Sequence, residues 1–320
     1  MTRSPKFRVD LHSHTTRSDG NDTPAEFLDQ AAALGVAVAA ITDHDVLPPD
    51  FLEVRGDRIP VGQYAQTAGI GVLRGMEVSC DTDVDDVHII GFGCRWDSEY
   101  LAWLPETARQ SKINGYRRFV ERLRDNGFDF TWEELTKNGL QPDEAVQKKH
   151  VFELLAEKGY TESWQAAKIM IRDNPDYDVK REKPCPMATI RSFHAAGGVA
   201  ILAHPYLIDE TVKREGEIVS RDRYIRRLID AGLDGMETHY PYDKTSYKGV
   251  MTPDAISREV IDRYGDMVSI LSGGSDYHAD HKKGVANPRM IGDAGIELEY
   301  FLNHPLLPSY CEGVDVSKFG

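Results

Sequence analysis

The sequence predicts an α/β fold in which about seven strands form a distorted barrel, with a helical insertion domain in the middle of the chain. Short apolar runs alternate with helix-like segments at both ends of the chain, as in a parallel sheet whose strands are connected by helices. Between residues 101 and 186 this alternation stops, and the pattern is that of successive helices. Histidines and acids follow several apolar runs, where the carboxyl ends of such strands place active sites.

The first part of the barrel is predicted over residues 1–100. Thr23 and Pro24 predict the start of a helix, because threonine caps helix N-termini and proline fits the first turn, and Gly35 predicts its end. No internal repeat is evident. The apolar runs predict strands at residues 7–11, 38–42, 70–74 and 87–92.

Residues 101–186 are predicted to form a helical lobe that selects the substrate. Its predicted helices cover residues 109–126, 131–137, 150–158 and 161–172. The second part of the barrel is predicted over residues 187–298, and the tail, residues 299–320, as an irregular surface strap. The strands and helices of this second part are predicted at 187–196, 199–202, 220–231, 235–237, 252–264 and 267–271.

The amino-acid composition limits the kinds of function that the chain can have. The chain has 320 residues, 41% of them hydrophobic, which suffices for a sizeable core, and it has no apolar run of membrane-spanning length. The net charge of −14 disfavours long nucleic acid as a partner but permits a small anionic substrate, because metal ions dominate the field of a site. Four scattered cysteines and the lack of a signal-peptide pattern predict a cytoplasmic protein with free thiols, and the oligomeric state stays open.

The residues that carry chemistry lie in three short clusters, each directly after an apolar run. The clusters are His12-Ser13-His14 with Asp19, Thr42-Asp43-His44, and Ser275-Asp276-Tyr277-His278. Alternate side chains of an extended segment share a face, so His12 and His14 can reach the same ion. Imidazole and carboxylate groups are ligands of zinc, manganese and iron, so the clusters predict a metal site.

Several motifs, in this order along the chain, resemble those of the PHP (polymerase and histidinol phosphatase) family. They are Asp10-Leu11-His12-Ser13-His14-Thr15-Thr16-Arg17-Ser18-Asp19-Gly20, Ile41-Thr42-Asp43-His44-Asp45, Arg74-Gly75-Met76-Glu77-Val78-Ser79, His88-Ile89-Ile90-Gly91-Phe92, Ala203-His204-Pro205, Gly235-Met236-Glu237 and Gly273-Gly274-Ser275-Asp276-Tyr277-His278. The resemblance implies a distorted (β/α)7 barrel of the PHP type. Lys149-His150-Val151 and the residues around it are similar to the insertion-bearing branch, which acts on small phosphoesters or trims short RNA.

The resemblance implies two to three divalent ions, which we expect to be manganese, iron or zinc. It implies that Glu77 bridges two of them, and a bridging carboxylate is chemically sensible because neighbouring cations repel unless anionic oxygen lies between them. The first ion is assigned to His12, His14, Glu77 and Asp276, the second to Glu77, His88 and His204, and the third to Asp19, His44 and His278.

Other residues are expected to act on the substrate. His150 is a candidate proton donor to the leaving oxygen, His204 a catalytic residue as well as a ligand, and Asp43 a residue that orients a ligand. Lys148 and Lys149 precede a helix, where cations and free N–H groups can converge on a second phosphate. The further candidates for substrate or ligand contact are Arg117, Glu237 and His239.

A site of this kind predicts hydrolysis of a phosphate ester by a metal-bridging hydroxide. We favour a cyclic ribose phosphate or related phosphosugar, because the chain is acidic and its lobe only modestly basic. Nucleoside 3′,5′-bisphosphates or the 5′ ends of short RNA are the alternative, although some RNA-trimming relatives have an arginine soon after the position of His150 and this chain has none. Histidinol phosphate, amide or lactone hydrolysis, and a non-catalytic accessory metal-binding module rank lower.

Overall fold

The computed structural model describes residues 4–177 and 179–319 and consists of two compact units. The barrel unit comprises the chain up to Pro105 and again from Pro184, and the lobe comprises Glu106–Lys183. The two units each have a hydrophobic core, which in the lobe includes Leu123, Phe130 and Leu155. Among the described residues, no helix has the length and apolar character needed to cross a membrane.

Seven strands form a nearly closed barrel, which confirms the predicted α/β fold. In chain order they are β1 (Val9–Asp10), β2 (Val38–Ile41), β3 (Gly71–Cys80), β4 (Val87–Phe92), β5 (Val199–Leu202), β6 (Gly235–His239) and β7 (Ile270–Gly273). Consecutive strands pair along the sheet, and the N–H of Leu11 donates to the carbonyl of Gly273 at 3.1 Å. The last strand therefore lies beside the first.

The fourth strand runs against its neighbours, which corrects the expectation of a parallel sheet. β4 pairs antiparallel with both β3 and β5, whereas the other neighbouring pairs of barrel strands are parallel. Only residues 81–86 connect β3 to β4, too few for the crossover that parallel neighbours need. As a result, the start of β4 lies at the barrel edge where the parallel strands end, and His88 reaches that edge from the beginning of its strand.

The eight helices predicted from the sequence form close to their predicted positions, except that the first helix of the lobe begins at Trp103 rather than at residue 109. The structure adds two helices that were not predicted, Val61–Ala68 and Leu298–Asn303, which gives ten among the described residues. They are α1 (Pro24–Leu34), α2 (Val61–Ala68), α3 (Trp103–Asp125), α4 (Trp132–Leu135), α5 (Lys148–Glu157), α6 (Trp164–Arg172), α7 (Pro186–Ala195), α8 (Arg221–Asp230), α9 (Pro253–Tyr264) and α10 (Leu298–Asn303). At α1, Thr23 Oγ1 accepts from the N–H of Glu26 at 3.2 Å while the Glu26 carboxylate accepts from the N–H of Thr23. Gly35 ends this helix in the left-handed conformation that glycine adopts without strain.

Two β-hairpins, which the sequence reading missed, give the barrel an internal repeat. One pairs Phe51–Val54 with Asp57–Pro60 between β2 and α2, and the other pairs Thr211–Arg214 with Glu217–Ser220 between β5 and α8. In each case strand, hairpin, helix and strand follow one another. The signal lies in Gly56 and Gly216, because both residues of each two-residue turn have positive φ angles and such turns favour glycine at the second position.

The C-terminal tail is more regular than the predicted strap. After α10, Cys311–Gly313 forms a strand that pairs antiparallel with Gly71–Leu73 at the start of β3. β3 is ten residues long, and β4 pairs only with its second half. The tail strand therefore takes hydrogen-bonding groups of β3 that β4 does not reach.

Candidate metal centre

The nine predicted ligands come together in the barrel unit. Their ligand atoms form three overlapping groups, each with all atoms within 4.8 Å: His14, Asp19, His44 and His278; His12, His14 and Glu77; His44, Glu77 and His88. His204 and Asp276 adjoin these groups, since Nε2 of His204 lies 3.2 Å from Glu77 Oε1 and Oδ1 of Asp276 lies 3.1 Å from His14 Nε2. Six of these side chains face a cavity of about 400 Å³.

Glu77 is the centre of the arrangement. Its Oε2 lies 2.9 Å from His44 Nδ1, 3.1 Å from His14 Nε2 and 3.2 Å from His12 Nε2. Its Oε1 lies 3.0 Å from His88 Nδ1 and 3.2 Å from His204 Nε2. The carboxylate itself is fully buried. A single carboxylate that contacts five imidazoles is placed to be shared between ions.

Unpaired polar atoms at the centre support its fit to metal ions. Among the described residues, His14 Nδ1 and His204 Nδ1 are buried without a hydrogen-bond partner, and the 2.9 Å contact between Glu77 Oε2 and His44 Nδ1 does not have the geometry of a hydrogen bond. Burying a polar atom without a partner is costly and rare in folded proteins. These atoms carry lone pairs, and imidazole nitrogen and carboxylate oxygen are the donors that manganese, iron and zinc accept. The residues present therefore fit a multinuclear divalent-metal site.

The backbone brings the strands close enough for this convergence. A Cβ built on Gly274 would lie 2.2 Å from the Cβ of His12 and 2.4 Å from its backbone nitrogen, so only glycine fits there. His204 and Asp276 have left-handed φ angles of 30° and 50°. Such strain in non-glycine residues persists where the surrounding structure imposes it, which is common at functional sites.

A second layer of residues holds the candidate ligands in place. Glu237, which the sequence left as a candidate, accepts from His12 Nδ1 at 3.0 Å and from the backbone N–H of His204 at 2.7 Å. Asp43 accepts from the N–H and hydroxyl of Thr15 and from the hydroxyl of Ser18. Contacts such as those of Glu237 set the orientation of metal ligands. Asp43 contacts the chain neighbours of His14 and Asp19, and its predicted role in orienting a ligand stays a prediction.

Neighbouring charges determine the protonation of the central groups. Burial alone would raise the pKa of Glu77, but His44, His12 and His88 together hold it well below its usual range. Burial lowers the pKa of His44, but the combined attraction of Glu77, Asp19 and Asp45 outweighs burial and raises this pKa to about 9. The centre thus keeps Glu77 as an anion.

His14 lies between two other imidazoles. Its ring stacks with those of His44 and His278, with ring centroids 4.2 Å apart in both cases. Burial lowers the pKa of His14, and the positive charges that His278 and His44 can carry lower it further. His14 is therefore kept neutral, the form in which an imidazole can bind a cation.

Three important residues were not singled out from the sequence. The Tyr240 hydroxyl donates to Asp276 Oδ2 at 2.6 Å, and Arg289 donates to the same oxygen. Asp10 accepts from the N–H and hydroxyl of Ser275, which ties β1 to the segment after β7. Asp10 begins the first motif and Tyr240 directly follows the candidate His239, signals that could have found them, whereas nothing nearby in the sequence indicates Arg289.

His239 is not brought to the ligand cluster. It lines a neighbouring cavity of about 290 Å³, where its ring lies 5.0 Å from that of Phe7. The register of β6 against β7 shifts between Glu237 and His239, so the two residues do not share a face as plain alternation would require. Its predicted contact with substrate stays a prediction.

The other predicted substrate residues lie in the lobe. Arg117 pairs with Asp143 at 2.6 Å, and Lys149 pairs with Glu153 at 3.2 Å. Their roles stay predictions from the sequence.

Lys148 and His150 lie in the first turn of α5. The amine of Lys148 lies 5.4 Å from the ring centroid of Phe119. His150 Nδ1 accepts from the backbone N–H of Gln147 at 3.2 Å and so helps to cap the helix. The roles of both residues in binding or catalysis likewise stay predictions.

Comparison with known proteins identifies relatives over most of the chain. The profile of the PHP domain matches residues 10–190. A phosphoribosyl 1,2-cyclic phosphate 1,2-diphosphodiesterase of Eggerthella lenta is 28% identical over 281 residues, 84% of this chain and 93% of the relative. A 3′,5′-nucleoside bisphosphate phosphatase of Chromobacterium violaceum is 27% identical over 283 residues, 86% and 89% of the two chains. A solved structure from Bifidobacterium adolescentis has the same fold, with a TM-score of 0.64 and 24% identity, and the match covers 99% of this chain and 100% of that one. That protein is assigned by inference as a metal-dependent phosphoesterase.

Proposed function

This chain belongs to the PHP family of metal-dependent phosphoesterases, hydrolases that act on phosphoric ester bonds, and we propose that its substrate is a cyclic ribose phosphate or a closely related small phosphosugar. The observation that carries the proposal is the buried Glu77 carboxylate, which contacts five imidazoles at 2.9–3.2 Å beside an open cavity. This arrangement suits the charge that develops on a phosphoryl group during hydrolysis.

We propose that two to three ions of manganese, iron or zinc bind here, with Glu77 shared between two of them. When bound, such ions lower the pKa of water and offset the charge on phosphoryl oxygens. The protein's part is to keep Glu77 anionic and His14 neutral, as their surroundings do. We keep the ligand sets that the resemblance implies: His12, His14, Glu77 and Asp276 for the first ion, Glu77, His88 and His204 for the second, and Asp19, His44 and His278 for the third. The groups of ligand atoms in the structure differ in that His44 also lies with Glu77 and His88, and His14 also lies with Asp19, His44 and His278.

The dimensions and charge of the protein support a small substrate. The cavity of about 400 Å³ beside the cluster is of the size that holds a small molecule. The net charge of −14 disfavours long nucleic acid, whose binding depends on cationic side chains that neutralise phosphates. The Eggerthella lenta relative is named for a cyclic ribose phosphate substrate and matches 93% of its own length, which favours this class.

A nucleoside 3′,5′-bisphosphate is the second candidate substrate, and a cavity within the lobe favours it. This cavity of about 150 Å³ is lined by the aromatic residues Tyr116 and Phe119 and the cations Lys112, Lys148 and Arg181. Aromatic rings stack on nucleobases, and cations pair with phosphate. The Chromobacterium violaceum relative is named for this activity.

The test is a substrate screen with manganese-loaded protein, which follows ring opening by chromatography and phosphate release by colorimetry. The panel contains cyclic and linear ribose phosphates, nucleoside 3′,5′-bisphosphates, 5′-phosphorylated short RNA and histidinol phosphate, and Glu77→Gln is the inactive control. We expect the cyclic ribose phosphate to have the highest kcat/KM. Higher kcat/KM for nucleoside bisphosphates would transfer the assignment to the second candidate, and no turnover by metal-loaded protein would overturn both.

A further inference from the structure

Arg289 is a cation in the same cavity as the candidate ligands. Its side chain lines this cavity together with Glu77, His88 and His204, and only 17% of it is exposed. No metal-ligand role is open to a guanidinium, which has no lone pair to donate. Its position next to a cluster of metal ligands therefore requires another explanation.

Two carboxylates hold the guanidinium in one orientation. Nη1 donates to Asp276 Oδ2, while Nε and Nη2 donate to Asp280 Oδ2 at 3.1 and 3.0 Å. A guanidinium has five N–H groups, so these contacts leave two of them without a partner among residues 4–177 and 179–319. A guanidinium that is held in one orientation beside a cavity and has two N–H groups left to donate is well placed to bind an oxyanion.

The contact with Asp276 does not by itself account for an arginine here. The Tyr240 hydroxyl already donates to Asp276 Oδ2 at 2.6 Å and can fix that carboxylate without adding charge. A permanent cation beside a site for divalent ions is repelled by them, and Asp280 offsets this repulsion only in part. An anionic ligand that binds both the ions and the guanidinium would offset the rest.

We propose that Arg289 binds a non-bridging oxygen of the phosphoryl group that is hydrolysed, and is thus a catalytic residue supplied by the barrel. The inference rests on the proposed function and adds a protein cation to that site. The guanidinium of Arg289, which Asp276 and Asp280 already orient, would stabilise the negative charge that develops on the phosphoryl oxygens. Loss of Arg289 should affect every substrate alike, because each presents a phosphoryl group.

The test compares Arg289→Gln and Arg289→Lys with the wild type, all loaded with manganese. We expect Arg289→Gln to lower kcat/KM by about 10²–10³ for cyclic and linear esters alike, the loss typical of removing one preorganised donor. Arg289→Lys keeps the positive charge but not the planar guanidinium, and its kcat/KM should lie between those of the wild type and Arg289→Gln.

The affinity for inorganic phosphate, measured by calorimetry, should fall about tenfold in Arg289→Gln, with manganese content unchanged. Lys248→Gln removes an equal charge from an 82% exposed side chain and should behave as the wild type.

Two results would overturn the inference. If Arg289→Gln loses manganese, Arg289 only holds Asp276 in place. If phosphate affinity and kcat/KM are both unchanged, Arg289 does not contact the phosphoryl group. If Arg289→Gln fails to fold, judged by circular dichroism, Arg289→Lys decides by the same two criteria. Failure of the proposed function would be seen separately, as lack of turnover by the wild type, and the difference in phosphate affinity would still test Arg289.

Discussion

Nδ1 of His12 lies 3.0 Å from Oε1 of Glu237, and both side chains are completely buried. Because Glu237 accepts a hydrogen bond at this position, the proton of a neutral His12 lies on Nδ1, and Nε2 then has its lone pair available. That Nε2 lies 3.2 Å from Glu77 Oε2, in the centre of the candidate site. Glu237 thus selects the form of His12 that can bind a metal ion.

Glu237→Gln should weaken manganese binding by about 10–100-fold, the effect typical of losing a residue that orients a metal ligand. The glutamine amide cannot accept from both His12 Nδ1 and the N–H of His204, as the two carboxylate oxygens do. Calorimetric titration of metal-free protein with manganese measures the change. The exposed Glu299→Gln is the matched control. Wild-type affinity in Glu237→Gln would show that Glu237 does not orient His12.

The sequence predicted those parts of the fold that depend on local pattern. Runs such as Val38–Ile41 and Val199–Leu202 are apolar because both faces of the strand are buried, and caps such as Thr23 act within one turn. The direction of β4 could not be read from its apolar pattern, since direction depends on the connection and on pairing with other strands. The tail strand at Cys311–Gly313 depends on an unpaired stretch of a strand far away in sequence.

In the candidate site, too, local sequence pattern predicted some residues, while others depend on contacts between distant parts of the chain. His12 and His14 were predicted to act together because alternation puts them on one face, and they do lie together. At His239 a shift in register after Glu237 interrupts the alternation of side chains, which the sequence does not indicate, and its predicted contact with substrate stays a prediction. Arg289 reaches Asp276 only through the folded loop after β7, so a pattern of neighbouring residues could not reveal it.

Glu77→Gln should abolish turnover and reduce bound manganese, because a neutral amide cannot offset two neighbouring cations. Turnover on the best substrate of the screen and metal content after dialysis are the measurements. Glu53→Gln removes a charge from an exposed hairpin residue and should leave both unchanged. Activity of Glu77→Gln above about a tenth of wild type would contradict a shared-ligand role.

Lys148→Ala should mainly raise KM for substrates that carry a second phosphate, with little change in kcat. Lys148 lines the lobe cavity with Lys112 and Arg181, and its amine can pair with an anionic group of a ligand. Steady-state kinetics on a nucleoside bisphosphate and on a monophosphate measure the difference. Lys168→Ala removes an exposed charge from the same lobe as a control. Equal KM values for Lys148→Ala and wild type on both substrates would assign Lys148 to the solvated surface.

The four free cysteines should differ strongly in reactivity. Burial raises the pKa of Cys94 and of Cys311 to about 12, and Cys80 is buried, whereas Cys185 is exposed. The thiolate is the reactive form, so at pH 8 only Cys185 should react rapidly with Ellman's reagent in the folded protein. Denatured protein should show all four thiols, and Cys185→Ser should lose the rapid phase. A second rapid thiol in the folded wild type would contradict the burial of the other three.

Gly274→Ala should destabilise the metal-free protein by about 1–3 kcal/mol or more, because the added methyl overlaps with atoms that cannot move aside. The new Cβ would lie 2.4 Å from the backbone nitrogen of His12, in the segment after β1 that carries two candidate ligands. Urea unfolding measures the stability, and manganese content should fall as well, since relief of the overlap displaces His12. Gly265→Ala is the matched control, because Gly265 has a helical φ of −56° and the nearest atom, in Ile261, is 3.5 Å from the new Cβ. Equal stability of the two variants would show that β1 and the segment after β7 can separate without cost, and that the close approach of their backbones does not hold the ligands together.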